Sequence, residues 1–231
     1  MLQLVIAEDI AKVRQQVEQS CHKFARNPAE VKILAVSKTQ PAAAVRAAWQ
    51  AGQSAFGENY LQEALQKQQE LQDLELEWHF IGPVQSNKTR DLAAHFDWLH
   101  TLDRFKIARR LSEQRAPKQP PLQVLIQVNI SQEASKSGVA PSDVLVLAEQ
   151  VQALPQLELR GLMCIPEATN DETEQRRAFA QMQALFQRLQ VAFPQARLDT
   201  LSMGMSGDLQ AAIAEGSTLV RIGTAIFGAR Q

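Results

Sequence analysis

Two hydrophobic patterns alternate along this chain. Short runs, apolar at nearly every position, recur as VKILAVSK (31–38), SAFGEN (54–59), EWHFIGP (77–83), DWLHTLD (97–103), PPLQVLIQVNI (120–130), LELRGLMCIP (157–166), RLDTLSMG (197–204) and TLVRIGTAIFGA (218–229). Between them lie stretches such as AAAVRAAWQAG, YLQEALQKQQEL and RFKIARRLSEQR, whose apolar residues recur at helical spacing. Near-continuous apolar runs predict strands buried on both faces, the signature of a parallel sheet. Strand–helix alternation predicts an α/β fold. Eight such units predict a closed (β/α)8 TIM barrel, with a doubly wound open sheet as the alternative. The opening MLQLVIAEDIAKVRQQ adds an amphipathic helix before the first strand. The Pro-rich QRAPKQPP (114–121) reads as a helix-to-strand connection, so residues 1–231 are expected to form one domain.

Composition narrows the function classes. A formal net charge of -1 gives no general field to draw nucleic acid or an acidic membrane, though it leaves room for a local anion site. No run approaches the length of a membrane span, and the start lacks the features of a signal peptide. Cys21 and Cys164 form no metal-ligand pattern and suit a reduced, cytoplasmic setting. No metal site is visible.

In a barrel of this kind the chemistry gathers at the carboxyl ends of the strands. The strand ends carry Ser37-Lys38, Glu58-Asn59, Gly82-Pro83, Thr101 with Asp103, Asn129, Met163 to Pro166, Ser202 to Ser206, and Arg221-Ile222-Gly223-Thr224. Lys38 stands out. A partly desolvated amine at a strand tip can form an imine with a carbonyl compound; the plain reading is a lysine reaching into water. SMGMSGD and RIGT form the second group. Gly204, Gly207 and Gly223 allow close backbone approach, Ser202 and Ser206 offer hydroxyls, and a helix starts near Asp208. The plain reading is two ordinary glycine turns with an Asp cap, but the loops after strands seven and eight are a common phosphate site in barrels. A lysine and a phosphate cradle together suggest pyridoxal 5′-phosphate (PLP), or the sugar-phosphate carbonyl of a class I aldolase.

Weaker signals have structural readings. His79 lies inside a strand, where a satisfied core histidine is expected. Trp49, Trp78 and Trp98 read as packing residues, and Cys164 as packing rather than nucleophile. Asn59 and Asn129 either contact a ligand or close strand-end backbone groups. Lys136 reads as a solvated charge, with transient cofactor exchange as its sharper role.

LAVSKTQP, FGENYLQEA, WHFIGPVQSNK, the SKSG segment (135–138), RGLMCIP and SMGMSGDLQAAIAEGSTLVRIGTAIFGAR together resemble the pyridoxal phosphate homeostasis protein family across essentially the whole chain. Gln40 and Pro83-Val84 are small departures outside the proposed contacts. The resemblance implies a barrel like the alanine racemase N-terminal domain, with PLP held as a Schiff base on Lys38. It implies phosphate contacts from Ser202, Ser206, Gly223 and Thr224, with Arg221 facing the pyridine nitrogen; Asn59 joins them as a cofactor-binding candidate. It also implies a role in cofactor supply and buffering, with PLP-dependent apo-enzymes as candidate recipients.

An amino-acid racemase is the alternative. Racemisation needs an acid–base group on each face of the substrate carbon. Lys38 can serve one face, while Tyr60, the one tyrosine, is not positioned like the tyrosine that a second domain supplies in racemases. The sequence stops soon after the eighth strand, so that domain is not expected. Arg221, a permanent cation, disfavours protonation of the ring nitrogen and weakens the electron sink. The reading is therefore a monomeric PLP carrier with no catalytic residues.

Overall fold

The computed structural model describes residues 2–132 and 137–228. Eight parallel strands close in sequence order, each hydrogen-bonded to the next and the last to the first. They are β1 (Lys32–Val36), β2 (Ala55–Glu58), β3 (Glu77–Phe80), β4 (Trp98–Leu102), β5 (Leu122–Gln127), β6 (Leu157–Met163), β7 (Thr200–Ser202) and β8 (Leu219–Ile222). The helices are α1 (Leu2–Lys23), α2 (Ala42–Gln50), α3 (Leu61–Glu70), α4 (Thr89–His95), α5 (Phe105–Gln114), α6 (Val144–Gln152), α7 (Glu172–Ala192), α8 (Leu209–Ala214) and α9 (Thr224–Phe227). The closed barrel expected from the pattern is therefore present, and the open sheet is not.

The eighth apolar run needs correction. It reads as one strand over 218–229, but the strand stops at Ile222 and Thr224–Phe227 turn into helix. The carbonyl of Gly223 accepts from the N–H groups of Ile226 and Phe227, so the chain coils as soon as pairing with β1 ends. Four residues cannot cover β8, and α1 takes over. Its buried stripe of Ile6, Ile10, Val13, Val17 and Cys21 follows the helical repeat and packs over α2, α8 and α9, across the β8–β1 seam. Burying these side chains contributes on the order of 10 kcal/mol before chain entropy is subtracted.

Side-chain alternation makes two cores. Ala35, Phe56, Phe80, Val124 and Leu201 join the large core between sheet and helices, while Trp98, Leu125 and Met163 form a separate cluster inside the barrel. A bulge in β6 marks the boundary. Leu159 pairs with Val124 and Gly161 with Leu125, so Arg160 is an extra residue, and its guanidinium lies 4.8 Å from the Trp98 ring centre. Gly161 is required there. Its φ is +150°, and a Cβ would strike the Thr200 carbonyl. Trp49 departs from the packing expected of it and stands 37% exposed on α2. No helix among the described residues is long and apolar enough to cross a membrane.

Candidate functional site

Barrel closure brings the two ends of the sequence together. Ala35 of β1 pairs with Ile222 of β8 on one side and Phe56 of β2 on the other, and β7 follows β8. Lys38, Asn59, Ser202, Ser206, Arg221, Gly223 and Thr224 thus fall on or just beyond four neighbouring strands, β7-β8-β1-β2. At the seam, a Cβ on Gly223 would approach the Val36 carbonyl to 3.3 Å. Asn129 follows β5, farther round the barrel, and Lys136 lies outside the described residues.

A buried charge network holds the turn that carries Lys38. Lys67, from α3, donates to the Ser37 carbonyl at 2.6 Å, to Glu58 Oε1 at 2.7 Å and to Glu63 Oε1 at 2.6 Å. The Ser37 hydroxyl donates to Glu58 Oε1 at 2.6 Å, and the Thr39 N–H donates to Glu63 at 2.6 Å. Thr39 has φ +63°, an uncommon conformation for a β-branched residue, and these contacts sustain it. Lys38 is therefore flanked by two anchored residues and is itself half-buried. Burial pushes the Glu58 carboxyl above its usual range against the pull of Lys67. Glu58, a strand-end residue, is a support of this turn.

Arg221 lies across the barrel floor. It is 4% exposed, donates through Nη1 to Ser202 Oγ at 2.7 Å and through Nη2 to the Cys164 carbonyl at 2.9 Å. No carboxylate among the described residues pairs with it. Burial lowers its pKa, although a guanidinium stays charged at neutral pH. Of its five N–H donors, those not engaged with Ser202 and Cys164 have no acceptor among the described residues. Asn59 adds a buried Oδ1 with no hydrogen-bond partner. The main-chain N–H groups of Ser206, Gly207, Gly223 and Thr224 likewise find no acceptor among the described residues. Around Gly207 the space is open: an added Cβ would meet nothing within 4 Å.

Two expectations change at this point. The Ser202 hydroxyl, expected beside Ser206 as a phosphate donor, is turned into the barrel and engaged by Arg221 and by His100 at 3.0 Å. Period-two alternation is the cause, since Met203 takes the outward position in the large core. Asp208 does not cap α8 with its side chain; it accepts from the Met205 N–H at 2.6 Å and closes the turn that exposes Ser206. His79 is the satisfied core histidine expected, 1% exposed, with Trp98 stacked on it at 5.2 Å. Burial pushes the Cys164 thiol up to about 12, consistent with packing rather than nucleophilic chemistry. His100 was not singled out from the sequence. Its place two residues after Trp98 on one strand face was the available signal. Among the described residues no cluster of His, Cys, Asp or Glu could hold a metal ion.

A parallel eightfold barrel with a lysine after its first strand and a buried arginine in its last defines a class: the barrel domain of the alanine racemase group. The family model described as alanine racemase, N-terminal domain, matches residues 9–231. The chain belongs to the pyridoxal phosphate homeostasis protein family within that group. It is 61% identical to the Pseudomonas aeruginosa pyridoxal phosphate homeostasis protein, over 98% of this chain and 96% of that one. It is 52% identical to the Escherichia coli K12 protein of the same name, over 98% and 97%. Among solved structures, PipY of Synechococcus elongatus is 41% identical and covers 96% of this chain and 100% of its own. It superposes with TM-scores of 0.87 without PLP and 0.85 with PLP bound.

Proposed function

We propose that this protein holds PLP at the carboxyl end of the barrel, attached through Lys38, and serves the cellular supply of that cofactor. PLP brings an aldehyde carbon that bonds a primary amine, and a phosphate at the far side of a rigid pyridine ring. The observation that carries the reading is Arg221, a buried cation with spare donors and no carboxylate in contact with it among the described residues. Such a group is costly to bury unless an acceptor meets it, and a ring nitrogen is one. Lys38 supplies the amine on a turn held rigid by Lys67. The free amides of Ser206, Gly207, Gly223 and Thr224, with the Ser206 hydroxyl, supply the phosphate cradle, and Asn59 faces the ring region. Ser202 acts through Arg221. The names of the relatives and the PLP complex of PipY support the same reading.

A carrier fits this site better than a catalyst. Arg221 cannot accept a proton, and its charge disfavours protonation of a ring nitrogen set against it. Tyr60, the single tyrosine, stands 54% exposed beyond β2 at the start of α3. No buried tyrosine among the described residues is thus available to Lys38 as the opposite-face partner that racemisation needs. Two free, buried cysteines suit a reducing cytoplasm, and a monomer that meets PLP-dependent apo-enzymes is the expected working form. The test begins with titration of the purified protein with PLP, borohydride reduction and peptide mapping. Label on Lys38, lost in Lys38→Ala with the fold intact, is the expected result; label on another lysine refutes the assignment. Incubating the loaded protein with amino acids in deuterated water then checks the carrier role. Multiple turnovers per second of α-deuteration, the range of an ordinary enzyme at about 1–1000 per second, would rule it out.

A further inference from the structure

Five side chains form an unbroken polar file through the barrel. Glu77 starts β3 at the amino-terminal mouth, with its side chain 41% exposed. His79 Nε2 lies 2.7 Å from Glu77 Oε1, and His79 Nδ1 lies 2.8 Å from His100 Nε2. His100 Nδ1 lies 3.0 Å from Ser202 Oγ, which Arg221 Nη1 reaches at 2.7 Å. From His79 onward every member is buried. A carboxylate stands at one end and a guanidinium at the other.

Donor rules leave one consistent arrangement for neutral imidazoles. Arginine only donates, so Ser202 Oγ accepts from Arg221. The hydroxyl proton then goes to His100 Nδ1. His100 carries its own proton on Nε2 and donates to His79 Nδ1; His79 carries its proton on Nε2 and donates to Glu77. The reverse order would set an unprotonated His79 Nε2 against a carboxylate and leave the Ser202 proton without an acceptor. Burial lowers the pKa of both histidines and so favours the neutral forms. Glu77 and Asp97 oppose this at His79 and Lys32 reinforces it, while the Arg221 charge reinforces it at His100.

We propose that this file locks the Ser202 hydroxyl in one rotamer and thereby holds the Arg221 guanidinium in the plane that meets the cofactor ring. His79 and His100 are positioning residues for that cation. The reason is mechanical. A hydroxyl released from His100 can rotate and turn its proton toward Arg221, which leaves this flexible side chain the Cys164 carbonyl as its one acceptor among the described residues. The inference deepens the reading above and rests on it for the identity of the ring.

The first test needs no cofactor. Nitrogen NMR of histidine-labelled, ligand-free protein at pH 7 should show His79 and His100 neutral, each protonated on Nε2. A proton on His100 Nδ1, or an imidazolium at either position, overturns the proposal. The second compares affinity for PLP with affinity for its 1-deaza analogue, which has C–H in place of the ring nitrogen. His100→Phe should weaken PLP by about tenfold, as for one lost charge-assisted hydrogen bond, and leave the analogue nearly unchanged. His100→Asn can place its Oδ1 near the Nδ1 position and should recover most of the PLP affinity. Ser202→Ala should show the same PLP-selective loss and replaces His100→Phe if that variant does not fold. Equal weakening for both ligands would mark a purely structural role and overturn the proposal. If wild-type protein binds both ligands equally, the fault lies in the ring-nitrogen assignment beneath it; the NMR result still decides the file separately.

Discussion

Replacing Lys67 with methionine removes the cation at the centre of the network behind Lys38. Three oxygens lose a partner at 2.6–2.7 Å: the Ser37 carbonyl, Glu58 Oε1 and Glu63 Oε1. Glu58 is the most affected, since it is 0% exposed and its Oε2 already lacks a hydrogen-bond partner. Breaking a buried pair by removing one member costs about 3–5 kcal/mol, a large share of the roughly 5–15 kcal/mol that stabilises a typical domain. Glu58→Gln added to Lys67→Met removes the stranded charge, so the double variant should regain at least about 2 kcal/mol over the sum of the singles. Urea unfolding with linear extrapolation gives all four corners of the cycle. The single variant should also gain stability on acidification. Its folded Glu58 holds a proton at pH values where the unfolded carboxyl, near 4.5, has lost it. Stability therefore rises as pH falls toward 4.5. Additive corners, or no pH dependence in Lys67→Met relative to wild type, would refute the account of this network.

Gly82→Ala would drive a Cβ into the Asn59 carbonyl, so PLP affinity should drop several-fold while circular dichroism keeps the barrel signature. Absorbance titration measures the first, and unchanged affinity counts against a role for Asn59. His79 and His100 have folded pKa values below the ordinary 6.5, so the unfolded chain takes up protons first. Stability should fall as pH drops below 6.5, by at most about 1.4 kcal/mol per pH unit for each histidine. His100→Asn should show a shallower fall in the same unfolding series. Cys21 and Cys164 are both buried, and burial pushes the Cys164 thiol up to about 12. Neither should react with a thiol reagent until the protein unfolds; fast native labelling of Cys164 would contradict its placement in the core.

The strand-and-helix order is legible in the hydrophobic pattern alone. Apolar runs such as VKILAVSK and LELRGLMCIP must be shielded on both faces, and only a helix-covered parallel sheet does so. The sequence also places a lysine at the end of the first strand and a glycine turn at the end of the last, because strand ends are legible wherever an apolar run meets Ser-Lys or Gly-Thr. What it could not decide was direction. Ser202 and Ser206 look equivalent in SMGMSGD, yet one hydroxyl lies under the barrel floor and the other on an exposed turn. The Thr224–Phe227 segment is as apolar as a strand and becomes helix because β1 has no partner left for it beyond Ile222. Glu77, His79, His100 and Arg221 are scattered over 145 residues of sequence, each an ordinary strand residue in its own segment. Only closure of β8 onto β1, which sets the inward faces of all eight strands against one another, puts them in a single file. Long-range pairing decides which side chains share the interior, and local patterning carries no information about it.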